Sequence, residues 1–396
     1  MTDPKIFLLQ DNCFALKRWV EPETWGPLIH SLGFTHVEAS FDNEMDFFYT
    51  SADYRNRWFE KVDRVDTKEN IKVKTFYTGY QTYRTAGLLH PDHDMRRYLL
   101  DGWVRPAVEL LGSRGIDWGF ALHAYPEKAL QDPALYAQET DSLVEEMAEI
   151  AHMAKINGGI SLCAEAMYSP HQTPWTIKGT KAFLKAIFAK HGEPLYTTVD
   201  LGHMCGQRRF KKLSIEAIES KLLEAMAGTL SEEPWLGPDS AYAIWDRVLE
   251  NQKIKDSDLV AIEKEMARYP YLFSTNEADG DPYAWLHELG CYSPIVHMQQ
   301  TNGVVSSHAA FTPENNDKGI IEGKRLLKAI AASYEKEEPD MPPKAKEINL
   351  AFEIFSSNSE HPREIISKLK ATYQYWRQFI PEDGLRLSQL LERLGA

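Results

Sequence analysis

The chain has 396 residues, 43% apolar and 26% charged, an ordinary globular composition with enough material for a large core. Asp and Glu number 58 against 44 Lys and Arg, a formal charge of −14; this argues against nucleic acid or an anionic membrane as partner, while leaving room for a local basic pocket that takes one phosphate. The four cysteines are scattered without a CxxC pair, and neither a secretory pattern nor a membrane-length apolar run is visible, so a cytoplasmic protein is expected.

In chain order, short apolar runs alternate with longer amphipathic stretches. The first candidate strand covers 6–13 (IFLLQDNC). A helix over 21–32 stops at Gly33 and leads into a second strand, 36–40 (HVEAS), which carries Glu38. The third strand covers 73–79 (VKTFYTG), with Arg84 just beyond it. HPDHD at 90–94 has a metal-like look, but it is better read as a helix start with Asp92 near the cap. The helix over 95–111 runs to Gly112, and the fourth strand, 118–123 (WGFALH), ends on His123.

A helix over 138–156 precedes the fifth strand, 159–167 (GISLCAEAM), which carries Glu165. A helix over 179–190 precedes the sixth, 195–200 (LYTTVD), which ends on Asp200; His203 follows in DLGH, and Arg208, Arg209 and Lys211 follow in GQRRFKK. From about 211 to 289 lies far more chain than one crossover needs. Helical patterns over 215–226 and 256–268 make it a helical insertion after strand six, a lid or a surface for a homo-oligomer. The seventh strand, 294–299 (PIVHMQ), carries His297, and His308 follows in SSHAAFT. A helix over 324–336 and a charged, Pro-rich loop over 334–346 lead to the eighth strand, 348–354 (INLAFEI), with Glu353. The final helix, 361–379, opens on Pro362.

Eight such strands separated by helices form the α/β pattern of a single (β/α)8 TIM barrel spanning 1–396, with the insertion inside it. The alternation also suits an open doubly wound sheet, but no GxGxxG or GxxxxGK[ST] follows the first strand. In a barrel, catalytic side chains project from the C-terminal ends of strands. Glu165, Asp200, His297 and Glu353 stand there on strands five to eight. Any one alone is most simply a cap, a surface charge or a satisfied core histidine. Ionisable residues inside four successive apolar runs are costly unless paired or bound to metal. The oxygen-rich set suits Mg²⁺ or Mn²⁺, and the imidazole also admits Co²⁺ or Zn²⁺. Glu38 and His123 end other strands at the same face, where packing at the barrel mouth explains them equally well. Trp118, Tyr168 and Trp175 either wall a sugar site or simply pack.

These four residues, in this chain order, resemble the xylose-isomerase-like barrel superfamily. That group of sugar phosphate isomerases and epimerases includes ketose 3-epimerases of the tagatose/psicose type, inosose dehydratase and, more distantly, endonuclease IV. The resemblance implies that Glu165, Asp200, His297 and Glu353 hold one divalent metal ion. It implies that Glu165 and Glu353 also act as the acid/base pair, and that His203 of DLGH contacts substrate. HMQQT is similar to the strand-seven signature, and IVHMQQTNG…SSHAAFT resembles enzymes of erythritol catabolism that interconvert tetrulose phosphates. The Arg that follows the strand-seven histidine in tagatose-type epimerases has no counterpart in QTNGVVSSH. The implied activity is epimerisation or isomerisation of a sugar or sugar phosphate through an enediolate, best matched by 3-epimerisation of a ketose phosphate such as erythrulose phosphate. Arg208 (with Arg209 and Lys211) and Arg84 are candidate phosphate contacts; His308 is a further substrate contact and His123 a weaker one. A solvated basic cluster is the alternative. A metal-dependent lyase, an endonuclease-IV-like nuclease (against which the −14 charge speaks) and a non-catalytic sugar-binding barrel stay open.

Overall fold

The computed structural model describes residues 2–79 and 86–395. In it the apolar runs become eight parallel strands: β1 (Lys5–Asp11), β2 (His36–Ser40), β3 (Lys72–Thr78), β4 (Asp117–Phe120), β5 (Leu162–Ala166), β6 (Tyr196–Asp200), β7 (Ile295–His297) and β8 (Glu347–Phe352). Each pairs with the next, and β8 returns to β1, so the sheet closes into a barrel. Closure leaves no free edge and buries both faces of every strand, which is why the runs are apolar on nearly every residue. Inside the barrel, Gly119 leaves the space that its neighbours fill: a Cβ there would stand 3.1 Å from Thr198 Oγ1 and 3.3 Å from Ile295 and Tyr77 atoms.

The surrounding helices are α1 (Pro22–Leu32), α2 (Ala52–Glu69), α3 (His93–Leu99), α4 (Arg105–Gly112), α5 (Pro133–Ile156), α6 (Ile177–His191), α7 (Ile215–Met226), α8 (Asp239–Asn251), α9 (Asp256–Ala267), α10 (Pro282–Leu289), α11 (Gly323–Glu335) and α12 (Pro362–Trp376). A short strand, β9 (Leu385–Arg386), runs antiparallel to β1 at Lys5 and Ile6, and α13 (Leu387–Arg393) follows it. No helix among the described residues is long and apolar enough to cross a membrane.

Several elements differ from the sequence expectations. The expected fourth strand stops at Phe120, because the chain then turns to pair with the segment after β3: Leu88 N donates to Leu122 O, and His123 bridges Gly87. The helix expected over 95–111 is broken by a π-turn at Leu100–Val104. Pro106 lacks the N–H that would bond the carbonyl at Gly102, and its ring crowds that turn. Helix α2 has no counterpart in the sequence reading. Its buried stripe is only Trp58, Phe59, Val62 and Val65 in an otherwise charged segment. Ser51 caps it by accepting from Tyr54 N. Asp92 does cap α3, accepting from Asp94 N at 2.8 Å. Between β6 and β7 lie α7, α8, α9 and α10; α10 packs on β6 and α11 as a barrel helix, although the expected bounds of the insertion include it.

Candidate metal centre

Asp200 and His297 each end a strand, and Glu353 is the first residue past β8. The register aligns Asp200 with His297 and His297 with Ala351, so neighbouring strands stop at one level. Closure then turns the side chains inward together. One ligand-type atom from each of Glu165, Asp200, His297 and Glu353 lies within 4.8 Å of the others, and all four residues are buried. His297 Nδ1 stands 3.0 Å from Glu165 Oε1 and 3.5 Å from Glu353 Oε2. Asp200 Oδ1 accepts from Gly202 N (2.7 Å), His203 N (2.9 Å) and Gln299 Nε2 (2.7 Å).

Two oxygens of this set, Asp200 Oδ2 and Glu353 Oε2, are buried with no hydrogen-bond partner among the described residues, although Glu353 Oε2 stands 3.3 Å from His308 Nδ1 in an ion-pair contact. Orphaned carboxyl oxygens are expensive in a protein interior. Three carboxyl groups and an imidazole with free oxygens converging on one point fit a divalent cation. Burial opposes protonation of His297, but Glu38 and Glu353 beside it, with the hydrogen bond to Glu165, hold its pKa well above the usual histidine value. Burial likewise opposes the charge on Glu353, yet His297 and His308 hold it well below the usual carboxyl range. His308 is raised to about 9: burial works against its charge, and Glu353 outweighs it.

Above the cluster opens a cavity of about 1330 Å³. Glu353, Tyr77, His203 and His308 reach its surface, whereas Glu165, Asp200 and His297 lie beneath that lining. The rim is largely apolar and includes Phe14, Phe210, Val304 and Phe355.

No family model matches the chain. A D-erythrulose 1-phosphate 3-epimerase from Brucella abortus (strain 2308) is 24% identical over 325 residues, which is 81% of this chain and 79% of that protein. Among solved structures, a protein from Rhodospirillum rubrum assigned as a xylose isomerase superposes with a TM-score of 0.63 at 15% identity, covering 94% of this chain and 99% of that one. The IolI protein with a bound zinc atom superposes with a TM-score of 0.52 at 10% identity, covering 94% and 98%. The chain has the xylose-isomerase-like barrel fold.

On this xylose-isomerase-like barrel, the expected site residues fare differently. His203 and His308 both reach the cavity, their rings 5.8 Å apart. His203 packs edge-on to Tyr168 (4.7 Å), and His308 stacks on Phe355 (3.8 Å). His308 adopts φ +43°, which a non-glycine residue seldom holds; Gln299 Oε1 accepts from its N–H at 2.5 Å and fixes that turn. Arg208 lines the cavity, but its guanidinium is turned onto the carbonyls of Gly303 (2.7 Å) and Gly280 (3.1 Å). Arg209 and Lys211 are exposed and paired with Glu232 and Glu277. Arg84 lies outside the described residues. His123 is not among the lining residues: its Nε2 faces Thr173 O at 2.6 Å, and burial lowers its pKa to about 4. Of the aromatic candidates, Tyr168 reaches the cavity, whereas Trp118 is fully buried among Phe41, Trp103 and Phe120.

Three residues at the site went unnoticed in the sequence. Tyr77 O–H donates to Glu165 Oε2, and its ring lies edge-on to His297 at 4.6 Å. Gln299 ties Asp200 to the loop that carries Ser307 and His308. Lys17, in the segment after β1, lines the cavity and donates to Ser356 O at 3.0 Å. Tyr77 and Gln299 each fall within an expected strand, two or fewer residues from its end, which is a position-based signal; Lys17 offered none.

Proposed function

We propose that this protein is a divalent-metal-dependent sugar or sugar-phosphate epimerase, and that it inverts C3 of a ketose phosphate such as erythrulose phosphate. The observation that carries the reading is the convergence of Glu165, Asp200, His297 and Glu353 at the cavity floor, two of their oxygens without a hydrogen bond among the described residues. The similarity to a D-erythrulose 1-phosphate 3-epimerase supports the substrate class, and the zinc of the IolI protein supports a metal. The four residues would hold the cation, with Mn²⁺ or Mg²⁺ favoured by the oxygen donors and Co²⁺ or Zn²⁺ admitted by the imidazole. A cation bound there supplies Lewis-acid polarisation of the ketose carbonyl and its neighbouring hydroxyl.

The chain's own residues do the rest. Glu165 and Glu353 come from strands three positions apart in the barrel, so their carboxyls approach the cluster from different sides, Glu353 at the cavity surface and Glu165 just beneath it. One takes the C3 proton and the other returns a proton from the opposite face, inverting the centre. Tyr77 fixes the orientation of Glu165, and His203 and His308 stand over the substrate's oxygens.

Turnover of a panel of tetruloses, pentuloses and hexuloses, each with and without phosphate, run in deuterated water, tests the reading. Solvent deuterium at C3 of a phosphorylated ketose is expected. Deuterium at C1 or C2 would mean aldose–ketose isomerisation instead, and loss of water would mean a lyase. Glu165→Gln should keep much of the metal affinity and lose roughly 10²–10⁴ in kcat; a Gln variant of normal activity rejects the role.

A further inference from the structure

We propose that Glu38, the middle residue of β2, is a positioning residue that fixes the ring of His297 from behind the candidate metal centre. This rests on the metal-binding reading above. Only one ring nitrogen of His297 faces the acidic set: Nδ1, at 3.0 Å from Glu165 Oε1. Nε2 points the other way and lies 2.9 Å from Glu38 Oε1. Both side chains are completely buried, at 0% exposure. The contact is too oblique for a hydrogen bond, and among the described residues neither atom has another hydrogen-bond partner.

The backbone explains why Glu38 reaches inward. The β2–β3 register slips between Val37 and Glu38, where β3 carries the extra residue Lys74, and just past that slip Glu38 pairs with Thr75, whose hydroxyl meets it. Glu38 is also held on its other side. Thr75 Oγ1 donates to Oε2 at 2.7 Å, and Asn12 N donates to the Glu38 carbonyl at 3.0 Å. A carboxyl buried this deeply needs a polar partner, and His297 Nε2 is what its free oxygen meets. An imidazole engaged by a carboxyl through Nε2 keeps one orientation and presents Nδ1 to a cation. Glu38 would therefore set the fourth ligand's direction without itself touching substrate or metal.

The test is calorimetric titration of Mn²⁺ alone into the metal-stripped full-length protein and its variants, with no turnover required. Glu38→Gln should weaken Mn²⁺ binding about 10–100-fold, and Glu38→Asp, which keeps a carboxyl, should recover part of it. Asp11→Asn removes a neighbouring buried carboxyl that, among the described residues, makes no ion-pair contact with His297 and should change the affinity little. Wild-type affinity in Glu38→Gln overturns the proposal, and so does an equal loss in Asp11→Asn, which would assign the effect to the general field of buried acids. If Glu38→Gln does not fold, Thr75→Val, which removes the hydroxyl holding Glu38, decides in the same way. Failure of the wild type itself to bind Mn²⁺ would instead bring down the metal-binding reading, and this inference with it.

Discussion

Lys17 and Arg208 both line the cavity, but their surroundings separate them. Arg208 has both terminal nitrogens on backbone carbonyls, so its charge is anchored as part of the wall. Among the described residues Lys17 makes one hydrogen bond, to Ser356 O, and an ammonium carries three donors, which leaves it able to donate to an anionic group as well. If the substrate carries a phosphate, Lys17→Ala should raise KM for it about 10–100-fold, the worth of a charged hydrogen bond. KM for the unphosphorylated sugar should hold. Paired steady-state measurements check this, and equal effects on the two sugars would remove Lys17 from phosphate binding. At this scale the sequence exposed residue types but not their engagements. A Lys or Arg after a strand looks the same whether it meets a carbonyl, a carboxyl or open space. The four residues of the candidate centre were legible because charged groups inside apolar runs are rare. Tyr77 and Gln299 were not, because an aromatic or an amide at a strand end is ordinary.

Among the elements, the barrel strands were readable from their burial pattern, whereas α2 was hidden by its charge and β9 by its length. The latter segment matters for stability. Asp383, just before β9, accepts from Leu8 N of β1 (3.0 Å), Thr35 Oγ1 ahead of β2 (2.8 Å) and both terminal nitrogens of Arg377 after α12 (3.0 and 2.7 Å). One nearly buried carboxyl thus joins the start of the barrel to the end of α12. Burial opposes its charge, but the hydrogen bonds from His36 and Arg377 hold its pKa well below the usual carboxyl range. A depressed acid stabilises the fold above its unfolded pKa, about 3.9, and the contribution is lost as pH falls through the folded value. Asp383→Asn should therefore cost about 3 kcal/mol at neutral pH, the scale for breaking a buried pair. The gap to wild type should narrow below about pH 4. Thermal melting of both proteins at pH 7 and at about pH 2, below the unfolded pKa by roughly two units, would show it; a constant gap would mean that the charge is not what holds the three segments.

For the whole molecule, the candidate centre joins four consecutive strands of the closed sheet. A cation that binds the folded chain and not the unfolded one stabilises it by about 2.7 kcal/mol at a concentration 100 times its Kd. Mn²⁺ should then raise the melting temperature of the stripped protein by a few degrees, and the gain should vanish in Asp200→Ala. An unchanged melting temperature at saturating Mn²⁺ would contradict the metal reading, since the linkage is thermodynamic and does not depend on turnover.

What the sequence determined by itself is local in origin. Burial of both strand faces, helix stops at glycine and caps such as Asp92 act within a few residues, so the (β/α)8 order and the four marked residues could be read along the chain. The tertiary structure decided everything that depends on closure. Residues 165, 200, 297 and 353 become neighbours only when β8 pairs with β1 and the register brings strand ends to one level. The strand pairing that sets Glu38 behind His297, the carbonyls that claim Arg208 and the turn that takes His123 away from the cavity all arise from partners far off in sequence, where no local pattern carries their distances or directions.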